Sequence, residues 1–536
     1  MRTSHGALSK MWFLKHVYPP PPPPNTKLNI GYVSSDFNNH PLAHLIQSVF
    51  GLHDMNRFNV FCYATTPTDN SPYRRKIESE AQHFLDVSGW SSLRIIEQTQ
   101  RDQIHILVNL NGYTKGARND VFAARPCPVQ MQFMGFAGGM SSSWTDWLVA
   151  DPVVCPPHTT SAYRWREEHN DDDSSAPGDL AADLDPSGPR EDWVYSERII
   201  YMPRTYFVND HAQGFRHPAE EKCVPSNEEL SVEDSWEREE IRRWTMRKRL
   251  FPTLPDDYVI LADFNQLYKT DPSVFKIWLR ILARVPKSVL WLLRFPAPGE
   301  GHLRRFALEW AGPDVESRII FTDVTPKHVH IYRGRVADLF LDTTECNAHT
   351  TAADILWSGT PLLTWPKHIH KMCSRVAASI VHATSIGNQL ETHSEQEYED
   401  RAVELASNVS YSYFWRGPDG DKPVPAPEPS QTQLDSAELT SHVTEGAILE
   451  SMLPPKGEFL YRRGHGELAE LRRKLFVNRD VCPLFDTRAW TRALESGYEE
   501  AWRRWESGTD TEDTPEWRAL ASDAPEKRSS HIWLRE

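Results

Sequence analysis

Strands and helices alternate along this chain in two separate series, and this alternation limits the fold more than any other feature. Apolar strands of the first series are predicted at residues 28–34, 59–63, 104–110, 129–134 and 147–150. Those of the second series, which begins near Tyr258, are predicted at residues 258–263, 289–295, 318–321, 338–342 and 361–364. Strands separated by helical crossovers form parallel sheets covered by helices. We therefore predict an α/β protein with two doubly wound domains in tandem.

Composition and charge place the domain boundaries. We predict a proline-rich tail over residues 1–27, a first domain over 28–225, a charged connector over 226–250, a second domain over 251–507 and an acidic tail over 508–536. Insertions are predicted at 167–192 and 417–455. Residues 167–192, which are acidic, and residues 417–435, which are rich in Pro, Ser and Gln, are predicted to be disordered. Tandem doubly wound domains usually bind their ligand in the cleft between them, at the carboxyl ends of strands.

Composition also excludes several classes of protein. The net charge of -15 argues against a primary role in binding nucleic acid or an anionic membrane. The 7 cysteines are scattered and form no CxxC pair, which favours a reducing compartment and gives no zinc site. No apolar run approaches the roughly 20 residues that a membrane-spanning helix needs.

A segment of the second series predicts a nucleotide site. His349, Thr350 and Thr351 open a helix that follows an apolar strand, and the free amides of a helix N-terminus bind phosphate. One turn later, Asp354 lies on the same side as the threonines and can accept hydrogen bonds from sugar hydroxyls. No Walker loop or Gly-x-Gly-x-x-Gly motif competes for a nucleotide. The alternative is an ordinary capped helix with a solvated Asp354.

Basic residues at other strand ends of the second series suit the same ligand. Lys269 follows the strand that ends at Asp263, where a fixed positive charge would stabilise a diphosphate leaving group. Lys327, His330 and Arg333 recur at three-residue spacing on one helical face, where a ring and a guanidinium can stack on a base. Taken alone, these patterns also fit a solvated loop lysine and an exposed basic face.

The first series offers a carboxylate and an imidazole close together. Asp36 and His40 lie in the loop after the first strand, where they could orient and deprotonate a hydroxyl. The alternative is that Asp36 and Asn39 cap the next helix and His40 is a surface residue. The loop Asn109–Gly116 either faces the acceptor or is a plain turn.

Six segments in order carry a resemblance to a known family. They read GYVSSDFNNHP, IHILVNLNGYTKGARN, FNQLYK, SVLWLLRFP, HTTAADILWSGTP and SRVAAS. This region, from about residue 28 to 505, resembles the catalytic region of the eukaryotic protein O-GlcNAc transferases, in a short form without tetratricopeptide repeats. The resemblance implies a GT-B-like fold, in which two Rossmann-like domains face each other across a cleft. It also implies an inverting, metal-independent transfer of N-acetylglucosamine from UDP-GlcNAc to Ser and Thr of nuclear and cytoplasmic proteins, with no cofactor, no nucleic-acid partner and no membrane span.

The resemblance also implies roles for individual residues. Asp36, His40 and Lys269 would be catalytic. His330 and Arg333 would contact the uracil, Lys327 and Asp354 the ribose, and Thr350, Thr351 and Lys269 the diphosphate. The full set implied for UDP is Gln266, Lys269, Thr325, Pro326, Lys327, His330, Ile331, Tyr332, Arg333, His349, Thr350, Thr351 and Asp354.

The chain departs from the family pattern at several positions. Leu42 stands where the animal enzymes have Thr, the loop that follows Met134 reads Gly-Phe-Ala-Gly-Gly, and neither His5 nor His16 matches the histidine proposed as general base. A short connector replaces the family's large intervening domain. Two further functions stay open, namely a protein O-fucosyltransferase that uses GDP-fucose and a catalytically weak nucleotide-binding scaffold.

Overall fold

The structure, a computed structural model, describes residues 18–160, 194–220, 232–384, 386–417, 422–428, 444–453, 455, 457–508 and 531–535. The predicted insertion at 167–192 lies outside these residues, as do residues 1–17 of the predicted N-terminal tail, residues 429–443 of the second insertion and residues 509–530 of the predicted C-terminal tail. The chain divides into two compact units. The first comprises Met1–Asp210, Ile369–Met372 and Thr487–Glu536, and the second comprises His211–His368 and Cys373–Asp486.

The strands have the following bounds: β1 (Leu28–Ser34), β2 (Phe58–Ala64), β3 (His83–Asp86), β4 (Ile106–Asn109), β5 (Val129–Gln132), β6 (Trp147–Ala150), β7 (Arg198–Tyr201), β8 (Val259–Asp263), β9 (Ser288–Leu293), β10 (Ile319–Thr322), β11 (Leu339–Leu341), β12 (Leu362–Leu363), β13 (Ser410–Arg416), β14 (Val424–Ala426), β15 (Phe459–His465) and β16 (Ile532–Trp533).

The α-helices span Pro41–Ile46, Val49–Leu52, Pro72–Glu80, Ser92–Arg101, Asn119–Ala123, His211–Gly214, Val232–Leu250, Pro272–Arg284, Pro298–Ala311, Pro313–Glu316, Lys327–Gly334, Thr350–Trp357, Val376–His382, Glu395–Ser407, Glu445–Ser451, Glu467–Asn478 and Thr487–Glu506. Short 3₁₀ helices span Pro157–Thr159, Leu267–Lys269, Met372–Ser374, Gly387–Gln389 and Pro483–Phe485.

The first unit is built on one sheet in the order β16-β7-β6-β5-β4-β1-β2-β3. All neighbouring strands in it are parallel. The interior strand β1 pairs with β4 in a register that puts Val33 opposite Asn109. The carboxyl ends of β1 and β4 therefore lie side by side, and the loops that follow them meet.

The second unit contains a parallel sheet in the order β10-β9-β8-β11-β12. Strand β8 pairs with β11, with Ala262 opposite Phe340, so the loops after these strands also lie next to each other. These loops carry Lys269 and the segment that enters the helix Thr350–Trp357. Two parallel sheets flanked by helices confirm the predicted α/β class.

A third sheet, which the sequence did not predict, belongs to the second unit. Its antiparallel strands run in the order β14-β13-β15. The helix Val232–Leu250 packs Ile241 and Trp244 against Tyr413 and Tyr461 of this sheet. The predicted connector over 226–250 therefore supplies part of a hydrophobic core, and the predicted insertion over 417–455 includes a paired strand, β14.

The predicted boundaries also differ from the observed packing at the C-terminus. We assigned residues up to 507 to the second domain, but the helix Thr487–Glu506 packs in the first unit. Its Trp490 ring packs against that of Phe133, with 5.4 Å between the ring centroids, and its Tyr498 hydroxyl lies 3.0 Å from that of Tyr32. In the predicted tail over 508–536, β16 pairs with β7, because its apolar residues add an edge strand to the sheet.

Candidate functional site

The helix Thr350–Trp357 begins in the second unit, after the loop that follows β11. Thr350 and Thr351 are half-buried at its first turn, and His349 precedes them without a side-chain cap. The first amides of a helix have no partner within the helix, and they carry the positive end of its dipole. This end of the helix is therefore suited to an anion such as phosphate.

Asp354 is the centre of a buried polar cluster one turn into this helix. Its Oδ1 accepts hydrogen bonds from Lys327 Nζ at 2.7 Å and from His211 Nε2 at 2.8 Å. Burial alone would raise the pKa of Asp354, but the Lys327 ammonium and the His211 hydrogen bond outweigh it and hold the pKa below its usual value. With 2% of its surface exposed, Asp354 is not the solvated helix residue of the alternative interpretation.

His330 and Arg333 lie on the neighbouring helix Lys327–Gly334. Burial lowers the pKa of His330 to about 3, so its ring is neutral at pH 7, and it packs edge-on to Phe264 at 5.5 Å. Arg333 is buried and donates from Nη1 to the Asp323 carbonyl at 3.0 Å. Among the described residues, its Nε and Nη2 have no acceptor. The interpretation of this helix face as exposed and basic is therefore wrong.

Lys269 contacts the segment that leads into the helix Thr350–Trp357. Its Nζ donates to the Asn347 carbonyl at 2.9 Å, so it is docked rather than free in solvent. Burial, together with the nearby Lys269 charge, lowers the pKa of His349 to about 3. The neutral His349 ring donates from Nε2 to the Cys373 carbonyl at 3.1 Å, which leaves Nδ1 as an acceptor. Lys269 and the start of this helix thus form one positive site.

The other residues that the family pattern implies are spread along the same loops. Gln266 and Pro326 are exposed, whereas Ile331 and Tyr332 are buried. Thr325 is half-buried, and its hydroxyl has no hydrogen-bond partner among the described residues. The structure therefore brings Lys327, His330 and Asp354 into one cluster, with Gln266 and Pro326 at the surface.

Asp36 in the first unit is held by the loop after β4. Its Oδ1 accepts from Ser35 Oγ at 2.9 Å, and its Oδ2 accepts from Asn111 Nδ2 at 2.9 Å. Asn111 also accepts from the Ser35 amide at 2.8 Å. The loop Asn109–Gly116 is therefore more than a plain turn, because it fixes the orientation of Asp36.

His40 is half-exposed and caps the helix Pro41–Ile46. Its Nδ1 accepts from the Leu42 amide at 3.2 Å and lies 3.8 Å from Asp36 Oδ2. When Nδ1 accepts this hydrogen bond, Nε2 is the ring nitrogen that can donate. His40 can therefore donate a hydrogen bond from Nε2. The N-cap of the helix Pro41–Ile46 is His40, whereas the alternative interpretation gave that position to Asp36 and Asn39.

Three residues near these sites carried no sequence signal that we recognised. His211, the buried partner of Asp354, follows β7 by several residues and belongs to no motif. Asp263 and Asp342 end adjacent strands, and burial raises their pKa values to about 8 and about 7. The general rule that strand ends carry functional side chains would have drawn attention to Asp263 and Asp342.

Metal clusters and membrane-spanning helices are both absent from the described residues. In the parts of the chain that the structure describes, no three His, Cys, Asp or Glu side chains are grouped so as to hold a metal ion. No helix among the described residues is both long and apolar enough to cross a membrane.

Comparison with known proteins gives consistent matches. The model of the family described as "Glycosyl transferase family 41" matches residues 13–168 and 237–417. The chain is 38% identical over 477 residues to a probable UDP-N-acetylglucosamine–peptide N-acetylglucosaminyltransferase, SEC, of Arabidopsis thaliana, covering 89% of this chain and 37% of that protein. It is 30% identical over 567 residues to the UDP-N-acetylglucosamine–peptide N-acetylglucosaminyltransferase of Caenorhabditis elegans, covering 90% of this chain and 41% of that protein. The chain thus spans less than half the length of either relative.

A solved structure shares the fold. A mutant of the O-GlcNAc transferase of Thermobaculum terrenum superposes with a TM-score of 0.59 at 21% identity, over 92% of this chain and 71% of that one. This likeness supports the predicted GT-B-like architecture.

Proposed function

The chain belongs to glycosyl transferase family 41, and from that premise we propose that it is an inverting glycosyltransferase that moves N-acetylglucosamine from UDP-GlcNAc to Ser and Thr hydroxyls of proteins. The observation that carries the proposal is the buried cluster of Lys327, His330 and Asp354 beside the start of the helix Thr350–Trp357. The activities for which the Arabidopsis and Caenorhabditis relatives are named support the choice of donor and acceptor.

Each part of UDP has a matching group in the second unit. The neutral His330 ring suits the flat, polar uracil, as do the N–H groups of Arg333 that have no acceptor among the described residues. Lys327 and Asp354 would bind the ribose hydroxyls, with His211 holding the carboxylate in place. The first amides of the helix at Thr350 and Thr351, with Lys269, would bind the diphosphate.

The proposed reaction is a single displacement at the anomeric carbon. The Ser or Thr oxygen forms a bond to C1 as the bond from C1 to the diphosphate oxygen breaks, and the configuration of C1 inverts. Negative charge develops on the departing UDP, where Lys269 and the helix dipole stabilise it. The acceptor proton leaves to a base that we do not assign. In the proposed mechanism, Asp36 and His40 orient the sugar and the acceptor through hydrogen bonds.

We propose that the transfer needs neither a divalent metal nor a cofactor. The positive field of Lys269 and the helix N-terminus can take the role that a metal has in other glycosyltransferases. The proposed partners are Ser- and Thr-containing proteins of the nucleus and cytoplasm, without nucleic acid.

The decisive experiment compares two donors. The chain would be titrated with UDP-GlcNAc and with GDP-fucose, and transfer to a Ser/Thr peptide would be followed by mass spectrometry with EDTA and with Mn²⁺. We expect binding and transfer with UDP-GlcNAc alone, at equal rates in both buffers. Transfer from GDP-fucose would make the chain an O-fucosyltransferase. Binding of UDP without turnover would make it a nucleotide-binding scaffold. Loss of transfer in EDTA would refute the metal-independent mechanism.

A further inference from the structure

A cavity in the second unit, apart from the nucleotide residues, has the character of an anion site. It has a volume of about 40 Å³ and lies between the helix Val232–Leu250 and strands β13 and β15. Arg243, Arg247, Arg462 and Arg472 line it, together with Tyr411 and two carboxylates, Asp338 and Glu240. It shares no residue with the set assigned to UDP.

The arginines of this cavity outnumber the carboxylates that can neutralise them. Arg243 is paired with Glu239 at 3.1 Å, outside the cavity. Asp338 is shared by Arg472, which contacts it directly, and by Arg462 at 4.0 Å. Arg247 has no carboxylate within 4.0 Å among the described residues; its Nη2 donates only to the carbonyls of Pro255, at 2.8 Å, and Tyr258, at 3.0 Å.

Glu240 does not remove this surplus of positive charge. Its oxygens accept from Gly464 N at 3.1 Å and from Arg463 Nε at 3.2 Å, and Arg463 does not line the cavity. Burial raises the pKa of Glu240 to about 7, so the carboxyl is only partly ionised at neutral pH. Arg247, Arg462 and Arg472 therefore bring three positive charges against the single charge of Asp338.

Four donors that belong to residues lining the cavity have no acceptor among the described residues. Among the described residues, these are Nε and Nη1 of Arg247, Nε of Arg472 and the hydroxyl of Tyr411. Arg247 is 2% exposed, and a buried guanidinium without an acceptor is costly. A doubly charged oxyanion would balance the surplus of two positive charges, and it would offer only acceptors to the arginines that line the cavity.

The size of the cavity sets the size of that anion. A water molecule needs about 10–15 Å³ of cavity volume, so a cavity of 40 Å³ holds about three to four groups of that size, which is the scale of a tetrahedral oxyanion. We propose that this cavity binds a phosphate-type oxyanion, either as the free ion or as the phosphoryl group of a larger molecule. The site lies where the third sheet covers the helix Val232–Leu250, so the bound anion would join these two elements.

The proposal is tested by calorimetric titration of the full chain with inorganic phosphate in saturating UDP, which occupies any competing site at the helix Thr350–Trp357. Sodium chloride keeps the ionic strength constant. We expect saturable binding at one site, abolished by Arg247→Met. Tyr411→Phe removes one hydrogen bond to a charged acceptor and should weaken binding about 10- to 100-fold. The control Arg249→Met alters an exposed arginine on the same helix and should leave phosphate affinity unchanged.

Each outcome decides the question. If Arg247→Met fails to fold, as judged by lost UDP binding, Tyr411→Phe carries the test alone. Titration with phenyl phosphate distinguishes a free phosphate ion from the phosphoryl group of a larger molecule. If phosphate and phenyl phosphate both bind, the site accepts a phosphoryl group. If phosphate alone binds, the site takes the free ion. Absence of phosphate binding in saturating UDP, or binding that survives Tyr411→Phe unchanged, would overturn the proposal.

Discussion

The pairing of Lys327 with Asp354 should contribute measurably to the stability of the second unit. We would make Asp354→Asn, Lys327→Met and the double variant, and measure the free energy of unfolding at pH 7 by urea titration. Both side chains are largely buried, with 15% of Lys327 and 3% of Asp354 exposed, and the contact from Nζ to Oδ1 is 2.7 Å. Removing one partner of a buried ion pair costs about 3–5 kcal/mol, because the other charge stays buried.

The measurement at pH 7 captures the whole effect. The pKa of Asp354 is lowered in the folded chain, so its contribution to stability is present above the unfolded pKa of about 3.9 and is lost only as the pH falls below it. We expect Asp354→Asn to cost about 3 kcal/mol, at the low end of that range, since the amide can still accept from His211 or Lys327. The double variant should cost about 2 kcal/mol less than the sum of the single variants.

A surface pair provides the matched control. Lys287 lies 2.6 Å from Asp257, but 60% of the lysine side chain is exposed. The same cycle with Asp257→Asn and Lys287→Met should give a coupling below about 1 kcal/mol. Coupling within about 0.5 kcal/mol of zero for Lys327 and Asp354 would refute the reasoning, because independent sites are additive to that extent.

Three further predictions follow from single contacts. Lys269→Met should slow UDP-GlcNAc hydrolysis roughly 100-fold, since a preorganised electrostatic donor contributes about 3 kcal/mol. The control Lys287→Met, which changes an exposed lysine, should leave turnover unchanged. Unchanged turnover in Lys269→Met would remove Lys269 from the mechanism. Burial and the charge of Asp342 raise the pKa of Asp263 to about 8, so the folded chain keeps a proton that the unfolded chain loses near pH 4. The free energy of unfolding should then fall as the pH rises from about 4 to about 8, by at most about 1.4 kcal/mol per pH unit. Urea titrations over this pH range should show a shallower fall for Asp263→Asn than for the unchanged chain. An equal fall would contradict the raised pKa of Asp263. A Cβ on Gly135 would overlap the Leu110 carbonyl oxygen, so Gly135→Ala should lower the melting temperature by several degrees. A Cβ on Gly89 would have no atom within 4 Å, so Gly89→Ala should leave the melting temperature nearly unchanged. Equal effects of the two substitutions would argue against this packing.

The sequence by itself determined the two parallel sheets. Buried parallel strands are apolar along their whole length, and the predicted strands at 28–34 and 147–150 coincide with β1 and β6. Sequence also located the helix that opens with Thr350 and Thr351, because its signal is local. The strand His83–Asp86 and the helix Ser92–Arg101 were missed. That strand is short, at the sheet edge and only partly buried, so it lacks the apolar run that marked the others.

Only the tertiary structure decided which side chains meet. His211 and Asp354 are 143 residues apart in sequence, and Asn111 lies 75 residues from Asp36, so no local periodicity relates them. The helix Thr487–Glu506 has an amphipathic pattern that would fit any apolar surface. Its packing in the first unit depends on the shape of the surface that this unit presents. The third sheet likewise joins strands from both sides of a polar insertion. Local propensity and hydrophobic spacing specify an element, whereas its partners depend on long-range packing that the linear pattern does not encode.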